Sequence, residues 1–450
     1  MDIESPLIAR LERHLDAIAQ HNDTLHAMIT VLGPEARAEA VSQTERHRPG
    51  GALSGRIISV KDNIDTAGIR TTRGSNWFTD RMPNHDATVV ERIRRAGAII
   101  IGKDNLHEFA FGATSQNPHH GACRNPWNPA AIPGGSSGGA GVSVAAGFSE
   151  IALGTDTGGS VRIPAALNGV SGLRPTVGRI SNHGVMPVSA SFDTVGPLAR
   201  HARHVAAVYE VLAGFDPRDP VSVNHPVESW AGLHAGGFEG LKIGVPWSMV
   251  EVESTPTVAK LIRDATAVLA GLGMTIVSLG LAEIGDLNLA LQTMAQADAA
   301  AVHRERFASN PTRFGGDLLP RLALGNAITG PAYADARMRQ LAWKQEVAEI
   351  FAAVDVIALP TVGFPAPLAA ASPDMIAATH RLTRLCSPWA LAEVPAISIP
   401  CGFQNGMPIG LQLVGPQWAE ARLLAVSVGF QDVTDHHLQI PPLVAKGQIS

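Results

Sequence analysis

Two glycine-rich stretches that carry serine, and one lysine, hold most of the reactive chemistry in this sequence. The stretches are PGGSSGG, Pro133–Gly139, and GTDTGGS, Gly154–Ser160; the lysine is Lys61, in SVKDN. Nine glycines fall within residues 134–160. Glycine loses the most backbone freedom on folding, so packing alone gives little reason to concentrate it. Backbone N–H groups aimed at a ligand would give one. A phosphate loop is excluded, because no Gly-Lys-Ser/Thr follows and no GxGxxG spacing occurs here. A nucleophile elbow matches in letters at Gly134-x-Ser136-x-Gly138 and again at Gly135-x-Ser137-x-Gly139. That motif needs a strand ending at its serine, and the preceding RNPWNPAAIP is Pro/Asn loop. The remaining reading makes Ser136 a relay and places the nucleophile elsewhere.

GTDTGGS supplies it. The apolar run IAL leads directly into this stretch, and successive N–H groups at Thr157, Gly158, Gly159 and Ser160 can form an oxyanion hole beside the Ser160 hydroxyl. One such donor is worth roughly 3–4 kcal/mol in the transition state. The base is not a metalloprotease pair, since Phe111 stands where HExxH needs its second histidine, nor an SxxK lysine, since Ile58 precedes Lys61 by three. Lys61 instead ends the apolar strand pattern RIISV, where it points into the crevice at the strand ends that α/β folds use for ligands. A lysine at its free pKa of about 10.4 cannot accept a proton at neutral pH, but burial lowers that value.

The elements that must position these groups alternate. Short apolar runs at 56–60, 97–102, 151–155, 242–246, 355–360, 396–400 and 409–415 predict strands, and 87–96, 138–147, 202–214, 256–272 and 340–353 predict helices between them. Residues 5–31 read as one or two amphipathic helices. Continuous apolar strands imply a sheet covered on both faces, hence an α/β/α sandwich. The Pro-rich stretch 215–230 reads as a loop between two parts of one sheet.

The bulk numbers narrow the class. The chain has 450 residues, 45% hydrophobic and 17% charged, with net charge −5. This argues against nucleic-acid binding, and no apolar run reaches the ~18 residues of a membrane span. Three cysteines with no CxxC fit a reducing compartment. The start, MDIESPLIAR, lacks an apolar leader region. A cytoplasmic enzyme is expected.

Lys61 after a strand, then PGGSSGG, then GTDTGGSVRIPAALNGVSGLRPT (154–176), resembles the amidase signature family, with 24 positions between Ser136 and Ser160. The likeness continues through residues 105–129, 178–200 and 394–416. It implies the amidase signature fold, with a large mixed central sheet, as one domain over 1–450. Within it, 1–50 would be N-terminal helices, 51–215 the signature core, 216–345 a variable helical region, and 346–450 the rest of the sheet and a C-terminal helix. It also implies roles: Ser160 as nucleophile, Ser136 as bridging serine after a cis peptide at Gly135, and Lys61 as general base. Thr157, Gly158 and Gly159 match the oxyanion loop, and Ser137, Asp156 and Arg162 the supporting polar shell. The chemistry needs no metal and no cofactor.

Simpler readings stand beside these. A lone lysine is usually solvated. Ser137 can cap the helix starting near Gly138, and Asp156 with Arg162 reads best as a structural pair. His119 and His120 read as solvated loop rather than a metal pair, and Cys123 as an inert packed thiol.

For substrate, Phe109, Ala110, Phe111 and Gly112 are expected to line an acyl pocket for a small, apolar or flat group. Residues 285–345 and 361–385 match regions that vary with substrate in the family. Three readings remain. The first is a free-standing amidase, alone or as a homodimer, that cleaves a small-molecule carboxamide. The second is the glutamine-hydrolysing component of a tRNA-dependent amidotransferase, which works with partner chains, or a carboxybiuret- or allophanate-type hydrolase. The third is a silent binding protein, which intact Lys61, Ser136 and Ser160 oppose. The amidotransferase reading wants a carboxylate for the glutamine amine. Residues 379–396 offer none before Glu393.

Overall fold

The structure, a computed structural model, describes residues 5–45, 51–281, 284–371 and 374–445. Residues 1–4, the start of the stretch read as lacking a leader, lie outside it, as do 46–50 of the expected N-terminal helices. In chain order the strands are β1 Met28–Val31, β2 Ile57–Lys61, β3 Ile99–Asp104, β4 Gln116–Asn117, β5 Gly121–Ala122, β6 Ile151–Asp156, β7 Ser171–Arg174, β8 Thr194–Ala199, β9 Lys242–Val245, β10 Thr275–Ser278, β11 Val356–Pro360, β12 Ala396–Gln404 and β13 Met407–Val414. β4 and β5 form a separate two-stranded pair. The other eleven make one mixed sheet in the order β1-β3-β2-β6-β8-β7-β12-β13-β11-β9-β10. All seven expected strands belong to it, on both sides of the 215–230 loop.

Alternate residues of β2 and β3 show why their sequences are apolar throughout. Ile57, Ile99 and Ile101 pack with Leu11, Leu15, Ile18, Val142 and Phe148. Ile58, Val60 and Ile100 pack with Val89, Val90, Ile93, Val205 and Leu212. Successive strand side chains point to opposite faces, so both faces of the sheet are covered.

One stretch differs from the expectation. The first helix is Pro6–Leu25, and His26 ends it in the left-handed region at φ 47°. Residues 28–31, read as helix, are the edge strand β1, antiparallel to β3. A four-residue edge strand shows no two-sided apolar pattern, and tertiary pairing decides it.

Candidate active site

Lys61 is the last residue of β2, and β2 runs parallel to both β3 and β6. Its amine therefore sits at the carboxyl edge of three parallel strands, and the 157–160 loop leaves the same edge of β6. The β2–β3 register slips between Ile58 and Ser59, so Lys61 stands opposite Asp104 rather than Lys103. An extra residue reverses side-chain direction beyond it. Consequently only one of the two strand-end lysines turns toward the serines. Lys103 goes to the other side, donating to Ile64 O, Thr66 and Thr71.

The serines arrive on the helix Gly138–Ala145, which is buried along its length. A Cβ on Gly139 would overlap both Ala27 O and Asn105 O, so only glycine lets this helix press against the chain beneath. The Gly135–Ser136 peptide is cis. Lys61 Nζ then donates to Ser136 Oγ at 2.7 Å, Ser137 Oγ at 2.9 Å and Thr155 Oγ1 at 2.7 Å. Three ammonium protons meet three hydroxyl oxygens. Ser137 Oγ gives its own proton to Thr155 O and accepts from Thr155 N, so it can only receive from Lys61. Ser136 Oγ spends no proton elsewhere in the described structure, and its hydrogen is free to travel. Lys61 is fully buried, and that burial pushes its pKa down to about 7, against the opposing pull of Asp156 and Asp193.

Asp156 organises the loop that carries Ser160. Its carboxylate accepts from Gly159 N, Val161 N and Arg162 N, and from the guanidinium groups of Arg162 and Arg174. Burial pushes this carboxyl up, but the two guanidinium groups more than reverse that and hold it below the usual carboxylate range. Arg162 extends the lock to Cys386 O and Gln412 Oε1. Asp156→Asn leaves two buried cations without their counter-charge. An expected loss of roughly 3–5 kcal/mol should show as a large fall in the urea midpoint.

Several expectations change on contact with the geometry. Gly159, at φ 134°, turns its N–H onto Asp156 at 2.8 Å and is spent there. Thr157, Gly158 and Ser160 keep backbone N–H groups without acceptors among the described residues. Ser137 makes no side-chain cap; Ser115 Oγ takes the Gly138 N–H instead, at 3.1 Å. Ser160 and Ser136 share no hydrogen bond through their hydroxyls. Their segments are tied by Ser137 N donating to Ser160 O at 3.1 Å. His119 and His120 are half-buried rather than simply solvated, and they bond Glu108 and Thr72. Cys123 is buried, and burial pushes its thiol above the usual range. No group of three or more His, Cys, Asp or Glu is arranged to hold a metal among the described residues.

Ser160 opens onto a narrow cleft with Ala110, Phe111, Gly112, Thr157 and Gly158 in its wall. Phe109 is not part of that wall. Left-handed backbone at Phe109 and Ala110, φ 52° and 60°, turns its ring inward, against Phe78, His303 and Phe314. The exposed lining of the cleft is mostly apolar, as expected, and Gln292, Gln296, Arg321, Thr379, His380 and Thr383 reach it from distant helices. Sequence reasoning missed these and Thr155. Thr155 lies inside GTDTGGS and was in view; the others stand more than 100 residues away with no motif of their own. Glu393 bonds Lys344 and Gln340 and is absent from the cleft wall.

A family profile described as Amidase matches residues 9–424. The A subunit of the glutamyl-tRNA(Gln) amidotransferase of Roseiflexus sp. (strain RS-1) is 37% identical over 456 residues, spanning 95% of this chain and 93% of that one. A solved structure described as an unexpected vestigial protein complex, bearing on the origins of an s-triazine catabolic enzyme, superposes with TM-score 0.88 at 30% identity, over 95% of each chain. Native peptide amidase from Stenotrophomonas maltophilia superposes with TM-score 0.82 at 29% identity, over 98% of this chain and 95% of that one.

Proposed function

From the premise that this chain belongs to the amidase signature family, we propose that it hydrolyses a small primary carboxamide to a carboxylate and ammonia through an acyl-enzyme on Ser160. The carrying observation is a fully buried lysine with pKa about 7, bonded at 2.7 Å to a serine whose proton is uncommitted. Ser160 Oγ attacks the amide carbon, giving its proton to Ser136 as Ser136 passes its own to Lys61. Backbone N–H groups of Thr157 and Gly158 receive the oxyanion. The C–N bond then breaks, and the relay runs backward to protonate the leaving ammonia. Water attacks the ester, loses a proton along the same path, and frees the acid and Ser160. The Ser136–Ser160 bond forms as substrate seats, since catalytic contacts often tighten only in the complex.

A second reading has specific support. The Roseiflexus relative is the A component of an amidotransferase, and its likeness to this chain favours glutamine as the ammonia source and a partner chain over a free-standing enzyme. The cleft chemistry opposes glutamine, because among the described residues no Asp or Glu lines it to meet an ammonium group. A carboxybiuret- or allophanate-type hydrolase is consistent with the s-triazine neighbour. No described helix is long and apolar enough to cross a membrane, and a cytoplasmic setting belongs to this proposal.

The test is ammonia release from aliphatic, aromatic and amino-acid amides, glutamine and carboxylated ureas, with Ser160→Ala as blank. Turnover of a small amide by the lone chain supports the first reading. Turnover of glutamine alone, or only once a partner chain is added, replaces it with the second.

A further inference from the structure

The clamp that Asp156 places on the Ser160 loop begins at Gly159 and reaches Arg162. It leaves Thr157 and Gly158 uncovered, and these two residues carry the N–H groups proposed above to receive the oxyanion. Both are half-buried. Arg174 Nη1 approaches Thr157 O at 3.4 Å. The short bond on this segment comes from elsewhere: Thr157 Oγ1 donates to Asp193 Oδ1 at 2.5 Å.

Asp193 is 7% exposed and closes the turn that leads into β8, its N–H donating to Ser189 O at 2.9 Å. Its second carboxylate oxygen, Oδ2, accepts from Val188 N at 2.8 Å and Ser189 N at 3.0 Å. One carboxylate therefore joins the Thr157 hydroxyl to this turn, and both Thr157 and Val188 line the cleft. Two further bonds fix the turn. Arg174 Nη2 donates to Phe192 O at 2.8 Å, and Ser189 Oγ donates to Asp298 Oδ2 at 2.5 Å on the helix Gly285–Ser309. That helix brings Leu291 and Gln292 to the cleft. Burial pushes the Asp193 carboxyl up to about 6, against its hydrogen bonds and the charge of Arg174. Above pH 7 it is the ionised acceptor that its donors require. The charges in its field are Arg174 on β7 and Lys61 on β2. Asp156 on β6 is taken up by Arg162 and Arg174, and Asp298 meets the turn through Ser189.

We propose that Asp193 is the positioning residue of the oxyanion loop, holding Thr157 by its hydroxyl so that the Thr157 and Gly158 N–H groups stay aimed into the cleft before substrate arrives. Donors that are already oriented cost no reorganisation in the transition state. A displacement of about 1 Å can cost roughly a hundredfold in rate. The same carboxylate has a second action. With Asp156 it opposes the fall that burial imposes on the Lys61 pKa. Asp193 acts through Thr157 on one side and Lys61 on the other, and does not itself line the cleft. The inference rests on the Ser160 chemistry proposed above.

The experiment compares kcat and KM at pH 8, for the best amide of the panel, in wild type, Asp193→Asn, Thr157→Val and the double variant. Asp193→Asn should lower kcat by roughly tenfold to a hundredfold and leave KM nearly unchanged. Thr157→Val breaks the same bond from its other end, so the double variant should lose no more than Asp193→Asn alone. Asp193→Asn should also move the acid limb of kcat/KM to lower pH, because Lys61 loses an anion that favours its charged form. Losses that multiply in the double variant, or a limb that stays in place, would overturn the proposal. The rate at which a fluorophosphonate labels Ser160 separates this role from the amide reading, since its phosphoryl oxygen takes the oxyanion position without amide turnover. Both single variants should label roughly tenfold to a hundredfold more slowly than wild type. A wild type that labels but cleaves no amide sinks the amide reading alone; single variants that label at the wild-type rate sink the role of Asp193. If Asp193→Asn does not fold, the labelling rate of Thr157→Val decides by itself, and an unchanged rate overturns the proposal. A wild type that neither labels nor cleaves removes the Ser160 chemistry and this role with it.

Discussion

Ser160→Ala should lower amide turnover by roughly six orders of magnitude, to the assay floor, while leaving the fold intact. The two halves of that expectation have separate causes. The Ser160 hydroxyl holds no hydrogen bond among the described residues and faces the cleft, so its removal orphans nothing there and should cost no more than about 1 kcal/mol. The nucleophilic role proposed for it has no substitute in the cleft wall among the described residues. Ser136 lies behind it, fully buried, and does not line the cleft. Steady-state ammonia release together with a thermal melt checks both halves at once. A variant that retained a tenth of the activity would remove Ser160 from the nucleophile's position.

Lys61→Met should cost three to four orders of magnitude, the upper range of a positioned proton acceptor. The pH dependence of the wild type gives this result its meaning. Only the neutral amine accepts a proton, and with Lys61 near 7 kcat/KM should rise about tenfold per pH unit below 7 and level off above it. The variant's residual rate should lack that limb. Stability depends on the same group, over a higher pH range. The unfolded chain holds this proton up to about 10.4 and the folded chain only to about 7. Between these values the unfolded state binds more protons, so this group's contribution to stability rises with pH. Below pH 7 the whole cost of burying the charge is present. Lys61→Met should therefore melt no lower than wild type at pH 6, and its advantage should shrink toward pH 10. A variant that loses activity only because it unfolds would show the opposite.

The strands, and the candidate residues that the structure brings together at Lys61 and Ser136, were legible because their signals are local. Ile57–Lys61, Ile99–Asp104 and Ile151–Asp156 are apolar on both faces, a pattern that burial on both sides of a sheet requires. Gly139 and Gly159 mark places where a Cβ would meet backbone or a packed side chain, and glycine at such points is visible in sequence. Ser171–Arg174 and Thr194–Ala199 escaped because Gly172, Gly196 and Pro197 interrupt them, although both lie inside the sheet. Which hydrogen each hydroxyl spends was not legible either. Ser137 resembles a helix cap in sequence, yet its bonds go to Thr155 and Lys61, while Ser115 does the capping. The cleft was least legible. Arg321, Gln292 and Thr379 meet Ser160 only because three helices converge there, and their spacing in the chain carries no period that announces it.

The most direct test of the central claim is covalent labelling with a fluorophosphonate, followed by peptide mass mapping. The account predicts one adduct, on Ser160, that is absent from Ser160→Ala and forms orders of magnitude more slowly in Lys61→Met. An adduct on Ser136 or Ser137, or labelling of Ser160 at an unchanged rate without Lys61, would contradict it.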